Sequence, residues 1–153
     1  MDEPTEDAIF EAQAALSSLL GYQLRRATAV MLGDLAERLG GLGATPAHYS
    51  AMTVIRAAPG INQSAVGRLI GIQRANMVAL VADLATKGWV RRQSPDGRGR
   101  SYALSLTAEG EAAIHRLREA VNANEALFKA RLVDPDGTGL ELGRLWGDDF
   151  PDR

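Results

Sequence analysis

The stretch LIGIQRANMVALVADLATKGWVRR, residues 69–92, contains an amphipathic helix between two glycines. Apolar side chains recur in it at the i, i+3, i+4 and i+7 spacing of a helix face that packs against a core. These core-facing residues are Met77, Leu80, Val81 and Leu84. The opposite face of the first turns carries Arg74, Ala75, Val78 and Ala79, and Asn76 lies near its boundary. A helix that only fills a core has no need of Arg74 and Asn76 at its start, so this face is expected to contact a partner.

A short helix and a tight turn are predicted just before this helix. Asn62 is a suitable N-cap, because its side-chain oxygen can accept from the free N–H groups of a first turn. The residues expected on the apolar face of the short helix are Val66, Leu69 and Ile70. Gly71 then permits a tight turn, and Gln73 is a poor cap for the longer helix. A short helix, a glycine turn and a longer helix together predict a helix-turn-helix.

A β-hairpin is predicted directly after the longer helix. Residues 89–93 favour a strand, and SPDG at residues 94–97 supplies turn residues. From Arg100 to Leu106 large and small side chains alternate, which indicates a half-buried strand. The tip carries Arg98 and Arg100 on a glycine-rich frame. A hairpin in this position makes the unit a winged helix.

Long helices are predicted on both sides of this unit. Residues 8–39 have one apolar helical face, a further helix starts at Thr45 and Pro46, and the last long helix starts at its cap Thr107. The face of the first helix contains Leu16, Leu20, Leu24, Ala27, Met31 and Leu35. The face of the last helix contains Ile114, Leu117, Val121 and Phe128, with Asn124 on the same seam. Candidates for a short closing element are Leu140, Leu142, Leu145, Trp146 and Phe150. The fold class is thus mostly α with a small hairpin wing, and the narrow seams suit helix pairing.

The charge of the chain is unevenly distributed. The net charge is -2, but residues 60–106 contain seven basic and two acidic side chains, a local charge of +5. A localised basic patch favours a polyanion such as DNA. A solvated surface on which charges happen to cluster would give the same count.

DNA contacts are predicted for both parts of the winged helix. The second helix of such a unit enters the major groove with its first residues on base edges. There Arg74 can pair with guanine and Asn76 with adenine, while the tip arginines can enter a narrow minor groove or bind phosphate. The predicted DNA-binding residues are Ser64, Gln73, Arg74, Ala75, Asn76, Val78, Ala79, Arg92, Arg98 and Arg100. The alternatives are a solvated helix start and a solvated loop.

Several parts of the chain, taken in order, resemble the MarR family of transcriptional regulators. They are TPAHYSAMTVI, PGINQSAVGRLIGI, the helix ending in ATKGWVRRQ, the hairpin, and SLTAEG before a long helix, within about residues 16–130. The resemblance implies a homodimer held by the first and last helices, with one winged helix per subunit on a palindromic double-stranded operator. The chain departs from the family's pattern at Ala79, where arginine is frequent, and at Ala82 and Asp83, where an Asp-Arg pair is usual.

The resemblance also implies three parts and a ligand. Residues 1–44 and 107–153 would carry the dimerisation helices and the tail, and residues 45–106 the DNA-binding domain. Aromatic acids and phenols are frequent ligands in the family, so a small-molecule inducer of this class is expected to release a repressor from DNA. Candidate pocket residues are Tyr22, Arg26, His48, Tyr49 and Met52. Core packing of Met52, a dimer salt bridge for Arg26, and control without a ligand are the alternatives.

Other functional classes have little support in the sequence. There is no Gly-x-Ser-x-Gly, no His-Glu-x-x-His and no P-loop. The absence of cysteine excludes disulfides and thiolate metal sites. We therefore expect a protein that is not an enzyme and has no cofactor or metal. A winged-helix module that binds another protein is the remaining alternative.

The sequence also indicates where the protein is located. Residues 1–12 are acidic and lack the basic start of a signal peptide. No apolar run approaches the roughly 20 residues of a membrane span. A cytoplasmic protein without a membrane partner is expected.

Overall fold

The computed structural model describes residues 4–93 and 102–146 as a winged helix with further helices at both ends. The helices are α1 (Glu6–Ser17), α2 (Leu20–Gly40), α3 (Pro46–Ala57), α4 (Gln63–Leu69), α5 (Arg74–Thr86), α6 (Ala108–Lys129) and α7 (Pro135–Arg144). The strands are β1 (Ile61–Asn62), β2 (Val90–Gln93) and β3 (Ala103–Leu106). The predicted class, mostly helical with a small antiparallel sheet, is confirmed.

The predicted helix-turn-helix is formed by α4 and α5. Asn62 caps α4, because its Oδ1 accepts a hydrogen bond of 2.9 Å from the Ala65 N–H. Gly71 has a φ of 69°, a left-handed conformation that glycine adopts without steric cost. No side-chain cap from Gln73 starts α5. The two helices are bent by 112° relative to each other.

Gly67 allows α4 and α5 to approach closely. A Cβ atom at Gly67 would lie 2.8 Å from Met77 Cγ and 3.0 Å from the Ile72 carbonyl oxygen. Both distances are shorter than ordinary van der Waals contact, so the space beside Gly67 is already filled by Met77.

The wing is part of a three-stranded antiparallel sheet in the order β1-β3-β2. The pairing of β2 with β3 confirms the predicted hairpin. The sequence did not predict β1, in which Asn62 pairs with Ala103, because two residues are too few to show a period. The predicted turn at residues 94–97 and the arginines Arg98 and Arg100 lie outside the described residues.

The core lies where α3, α4, α5 and α6 meet the sheet. Its fully buried apolar residues include Leu39, Met52, Ile55, Val66, Met77, Val81, Leu84, Leu104 and Leu117. On α5 the predicted inward residues Met77, Val81 and Leu84 are buried and Leu80 is half-buried. The expectation for Leu69 is wrong, because its side chain is 66% exposed. Val66 and Ile70 fill the core contact, which leaves Leu69 outward at the end of α4.

The helical period over residues 8–39 is divided between α1 and α2, since the chain breaks between them. Ser18 and Leu19 separate the two helices. The Gln23 side-chain amide donates a hydrogen bond of 2.8 Å to the Ser17 carbonyl oxygen across the break. The apolar period continues through the break, so periodicity alone could not reveal it. Of the expected apolar face, Leu24, Met31 and Leu35 are half-buried, whereas Leu16, Leu20 and Ala27 are exposed.

The last long helix, α6, begins at its predicted cap. The Thr107 hydroxyl caps the first turn and donates to the Gly88 carbonyl oxygen of the preceding segment. Further along α6, Asn124 is buried against α2. Its Nδ2 donates to the Met31 carbonyl oxygen at 3.1 Å and to Asp34 Oδ2 at 2.9 Å. This polar contact fixes α6 against α2 at one position along their apolar seam.

A short closing helix, α7, occupies the predicted region of the tail. The Asp134 carboxylate caps it by accepting from the Gly137 N–H at 2.9 Å. Its large apolar side chains and those just after it are exposed. They are Leu140, Leu142, Leu145 and Trp146. Phe150 lies outside the described residues.

Candidate nucleic-acid interface

The outward face of α5 is as the sequence predicted. Arg74, Ala75, Asn76 and Ala79 are exposed, and the Val78 side chain is 54% exposed. Because Met77, Val81 and Leu84 hold the opposite face in the core, this outward face cannot turn inward without exposing core residues. The first two turns of α5 thus present one cationic, one amide and three small or branched apolar side chains to solvent.

A groove of about 570 Å³ runs between α4 and α5 and joins three of the predicted residues. Ser64 at the start of α4 shares it with Gln73 and Arg74 at the start of α5. The groove also contains Gln63 and Arg68, which were absent from the predicted site. Arg68 is one of the seven basic residues counted within residues 60–106, but a charge count does not show where a residue lies in the fold.

Within residues 4–93 and 102–146, neither of the two arginines of this groove forms an ion pair. The described ion pairs involve other basic side chains, namely Arg38, His48, Arg56, Lys87, Lys129 and Arg144. Arg68 and Arg74 are both exposed, and a guanidinium group can bind an anionic partner such as a phosphate group.

The wing strand β2 contributes Arg92 beside Tyr102. The Arg92 guanidinium carbon lies 5.9 Å from the centre of the Tyr102 ring, within the range of a cation–π contact. Arg92 pairs with Leu104 and therefore lies on the same side of the sheet as this core residue, but its own side chain is exposed. Arg91 lies on the other side and is also exposed.

A second groove, of about 710 Å³, lies on the other side of α5. It contains Gln73, Asn76 and Ala79 from the predicted site, together with His48 of α3 and Asp83 of α5. His48 Nε2 lies 2.9 Å from Asp83 Oδ2. Asp83 is a functional candidate that the sequence analysis did not select, since no pattern links it to a histidine 35 positions earlier.

The described part of the chain contains no cluster of three or more His, Asp or Glu side chains that could hold a metal ion. No single described helix is long and apolar enough to cross a membrane, and α4 and α5 would meet that test only as a pair bent by 112°.

Similarity to known proteins agrees with this geometry. A model of the MarR family matches residues 42–101. A protein assigned as the transcriptional regulator of the hcr operon in Thauera aromatica is 33% identical over 132 residues, which are 86% of this chain and 79% of that protein. The chain belongs to the MarR family. The resemblance seen in the sequence is therefore confirmed.

Solved structures of MarR-type regulators share the fold. The transcriptional repressor CouR bound to a 23-mer DNA duplex has a TM-score of 0.73 and 34% identity, over 85% of this chain and 92% of that chain. CouR bound to p-coumaroyl-CoA has a TM-score of 0.76 and 31% identity, over 88% of this chain and 96% of that chain. The MarR family protein Rv2887 of Mycobacterium tuberculosis, in complex with salicylic acid, has a TM-score of 0.64 and 29% identity, over 83% of this chain and 96% of that chain.

The candidate ligand residues of this MarR-family chain lie in different surroundings. On α2, the Arg25 and Arg26 guanidinium carbons lie 5.2 and 5.9 Å from the centre of the Tyr22 ring. On α3, Tyr49 is half-buried and Met52 is fully buried in the core. The fifth candidate, His48, lines the groove beside α5. The five residues thus divide into a cationic, partly exposed group on α2 and a packed group on α3.

Proposed function

We propose that this protein is a dimeric, sequence-specific repressor whose α5 reads an operator in the major groove. The observation that carries the proposal is the outward face of α5, which is polar and exposed at its start while its inward face is buried in the core. Similarity to CouR bound to a DNA duplex supports it. In this proposal residues 45–106 are the DNA-binding domain and the flanking helices hold the dimer.

Each exposed residue of α5 has a role that follows from its chemistry. Arg74 donates two hydrogen bonds to a guanine edge, and Asn76 pairs with adenine. Small apolar side chains beside them contact thymine methyl groups. Ser64 and Arg68, across the groove from Arg74, bind the phosphate backbone and fix the register. Arg92 follows the backbone along the wing, and the sequence assigns the same role to Arg98 and Arg100.

Exposed apolar side chains on the terminal helices support a dimer. Phe10 on α1 and Trp146 after α7 are 72% and 78% exposed, and further large apolar residues accompany them. These further residues are Ile9, Leu16, Leu19, Leu20, Leu140, Leu142 and Leu145. Apolar surface of this extent marks an interaction site in a protein that stays in solution. A second copy of the chain would cover it and would place two recognition helices on one operator.

A small aromatic acid or phenol-like compound is the proposed inducer. CouR binds p-coumaroyl-CoA, and Rv2887 was solved with salicylic acid, so both relatives accept aromatic carboxyl compounds or their thioesters. Tyr22 with Arg26 supplies an aromatic face and a cation that suit such a ligand. His48, Tyr49 and Met52 lie on the neighbouring helix, although Met52 becomes accessible only if the core opens.

The DNA proposal is tested by titration on a duplex selected from random sequences by the wild-type protein. Arg74→Ala should weaken binding to the selected duplex by ~1–3 kcal/mol and relax preference at one base pair. Arg144→Ala, which removes the same charge from α7, is the matched control and should leave that preference unchanged. If the wild-type protein binds selected and shuffled duplexes equally at every salt concentration, the winged helix is a protein-interaction module instead.

Light scattering and ligand linkage test the other two parts. A single-chain mass at micromolar concentration would exclude the dimer. Any aromatic acid that releases DNA must itself bind less tightly to the DNA complex by the same factor. Equal affinity of salicylate or p-coumaroyl-CoA for free and DNA-bound protein would rule that compound out as the inducer. If no aromatic acid or thioester releases DNA, the protein is a regulator controlled without a ligand.

A further inference from the structure

His48 joins the first turn of α3 to the third turn of α5 through both of its ring nitrogens. The Thr45 N–H donates a hydrogen bond of 3.1 Å to His48 Nδ1, and the His48 N–H donates one of 3.2 Å to Thr45 Oγ1. The other ring nitrogen, Nε2, lies 2.9 Å from Asp83 Oδ2 on α5. One imidazole therefore completes the cap of α3 and reaches the helix proposed to read DNA.

The cap determines which nitrogen of His48 carries the proton. A neutral imidazole has one donor and one acceptor nitrogen. Because Nδ1 faces an N–H group it must accept, so the proton is on Nε2 and points at the Asp83 carboxylate. Burial lowers the pKa of His48 below its ordinary value, against the opposite influence of Asp83, and so favours this neutral form. The ring can then rotate only by breaking the cap or the contact with Asp83.

Asp83 lies on the face of α5 that also carries two of the proposed DNA contacts. It follows Asn76 by seven residues and Ala79 by four, which places all three on one side of a helix. All three line the groove that contains His48.

The remaining contacts of α5 with the core are less directional than this link. Met77, Val81 and Leu84 are held by apolar burial, which tolerates a small rotation or tilt of the helix. A hydrogen bond to a fixed ring is sensitive to both. Arg74 is nine residues from Asp83, or ~14 Å along the helix, so a tilt of ~5° about Asp83 moves Arg74 by ~1 Å. A displacement of that size is enough to break a hydrogen bond to a base.

We propose that the His48–Asp83 pair is a positioning element that sets the orientation of α5 and thereby its selectivity among DNA sequences. This inference rests on the proposed function of α5. Neither residue contacts DNA in this proposal, so their effect is transmitted through the helix. Lys87 Nζ also lies 3.6 Å from Asp83 Oδ2, the same oxygen that faces His48.

The test uses substitutions that keep or break the pair without a large change of size. His48→Gln keeps both bonds, because its amide oxygen can accept from the Thr45 N–H while its amide nitrogen donates to Asp83; glutamine is also a usual residue at this position of a capping box. His48→Glu keeps the cap but places a second carboxylate against Asp83. Asp83→Asn keeps an acceptor, and Asp83→Ala removes it. Asp83 is partly exposed and outside the core cluster, so Asp83→Ala should remain folded.

The readout is the ratio of affinities for the selected duplex and a shuffled duplex of the same composition, at one salt concentration. This ratio cancels the general effect of a changed charge on DNA binding. We expect His48→Gln and Asp83→Asn to keep the ratio within about twofold of wild type. We expect His48→Glu and Asp83→Ala to lower it about tenfold, the usual effect of losing one good base contact. Thermal unfolding of each variant separates this change from a loss of folded protein.

The possible results distinguish a failure of the positioning role of the His48–Asp83 pair from a failure of the proposed DNA binding. If the wild-type protein shows no preference for any duplex, the proposed function itself fails. If the wild-type protein is selective and all four variants keep its ratio while the two disruptive ones unfold earlier, the pair only stabilises the fold and the inference is overturned. Loss of the ratio in the two disruptive variants alone, with folding intact, supports it.

Discussion

The helix-turn-helix part of the chain and its terminal helices bury their apolar side chains to very different extents. From α3 to β3, Met52, Met77 and Leu84 are at most 1% exposed. Neither α1 nor α7 contains a buried residue. The first part is closed by its own chain and leaves mainly polar and small side chains outside, whereas the second leaves large apolar side chains outside.

An apolar period therefore does not show whether the apolar face of a helix is buried within the folded chain. The period of α5 and the period of α1 both predict an amphipathic helix. In α5 the apolar face is covered by the same chain, and in α1 it is left exposed. The contrast can be tested by substitutions, of which that of a buried leucine on α5 should have the greatest effect.

The largest effect is expected in the closed part. Leu84→Ala should lower the free energy of unfolding by ~2–5 kcal/mol, because it deletes a fully buried side chain and leaves a cavity. Leu140→Ala on α7 is the matched control, and it should weaken the dimer while a dilute, monomeric sample unfolds as wild type does. Denaturant titration at several protein concentrations measures both. If both variants lost the same unfolding free energy at every protein concentration, the proposed difference between the two parts would be wrong.

A smaller effect is expected at the buried polar contact between α2 and α6. Asn124→Ala should cost ~1–3 kcal/mol of unfolding free energy, because it removes two hydrogen bonds of a buried amide, one to the Met31 carbonyl oxygen and one to Asp34, which keeps its contact with Arg38. Asn122→Ala, an exposed neighbour on the same helix, is the control. If the two variants unfold alike, the contact between α2 and α6 is held by apolar packing alone.

Helix caps allow the same chemistry to be compared in both parts. Thr107→Ala should cost ~0.5–2 kcal/mol, because the hydroxyl caps α6 and also binds the Gly88 carbonyl oxygen. Thr5→Ala removes the exposed cap of α1, and should cost only a few tenths of a kcal/mol, since a frayed α1 exposes little that was buried. Thermal unfolding with helix content followed by circular dichroism compares them. A larger loss for Thr5→Ala would mean that α1 is already packed in the folded subunit.

The smallest effect is a dependence of stability on pH. Burial lowers the pKa of His48 below its ordinary value of 6.5, so between the lowered value and 6.5 the unfolded chain binds a proton that the folded chain does not. The contribution of His48 to the free energy of unfolding is therefore fully present above about pH 6.5 and is lost as the pH falls through that window. His48→Gln should reduce the slope of unfolding free energy against pH between about 7 and 5. An unchanged slope would show that His48 titrates equally in both states.

The sequence predicted the α5 region well because several independent signals coincide there. The helical period, the turn at Gly71, the stop at Gly88 and the following strand all agree, and both glycines have positive φ angles. The exposed position of Arg74 followed directly from the inward face, whereas Asn76 was expected near the boundary and is exposed. These features are local, so they can be read without knowing what packs against them.

Other parts depend on contacts distant in sequence, and the sequence did not show them. The break at Ser18 and Leu19 interrupts no apolar period. The pairing of β1 with β3 needs a partner more than 40 residues away. The His48–Asp83 contact joins two residues that are each unremarkable in their own segment, since a histidine in a first turn and an aspartate in a third are both common on solvated helix surfaces.

Gly67 and Met77 share one volume at the crossing of α4 and α5. Because Met77 Cγ already occupies the space that a Cβ at position 67 would need, neither side of this contact can grow alone. A smaller residue at position 77 would relieve only the contact with Met77, because the Ile72 carbonyl oxygen would still lie 3.0 Å from a Cβ at position 67. Transplanting the outward face of α5 onto another winged helix therefore requires that the recipient carry the same pair. Without this pair, the grafted side chains would lie on a helix that packs at a different distance from its neighbour.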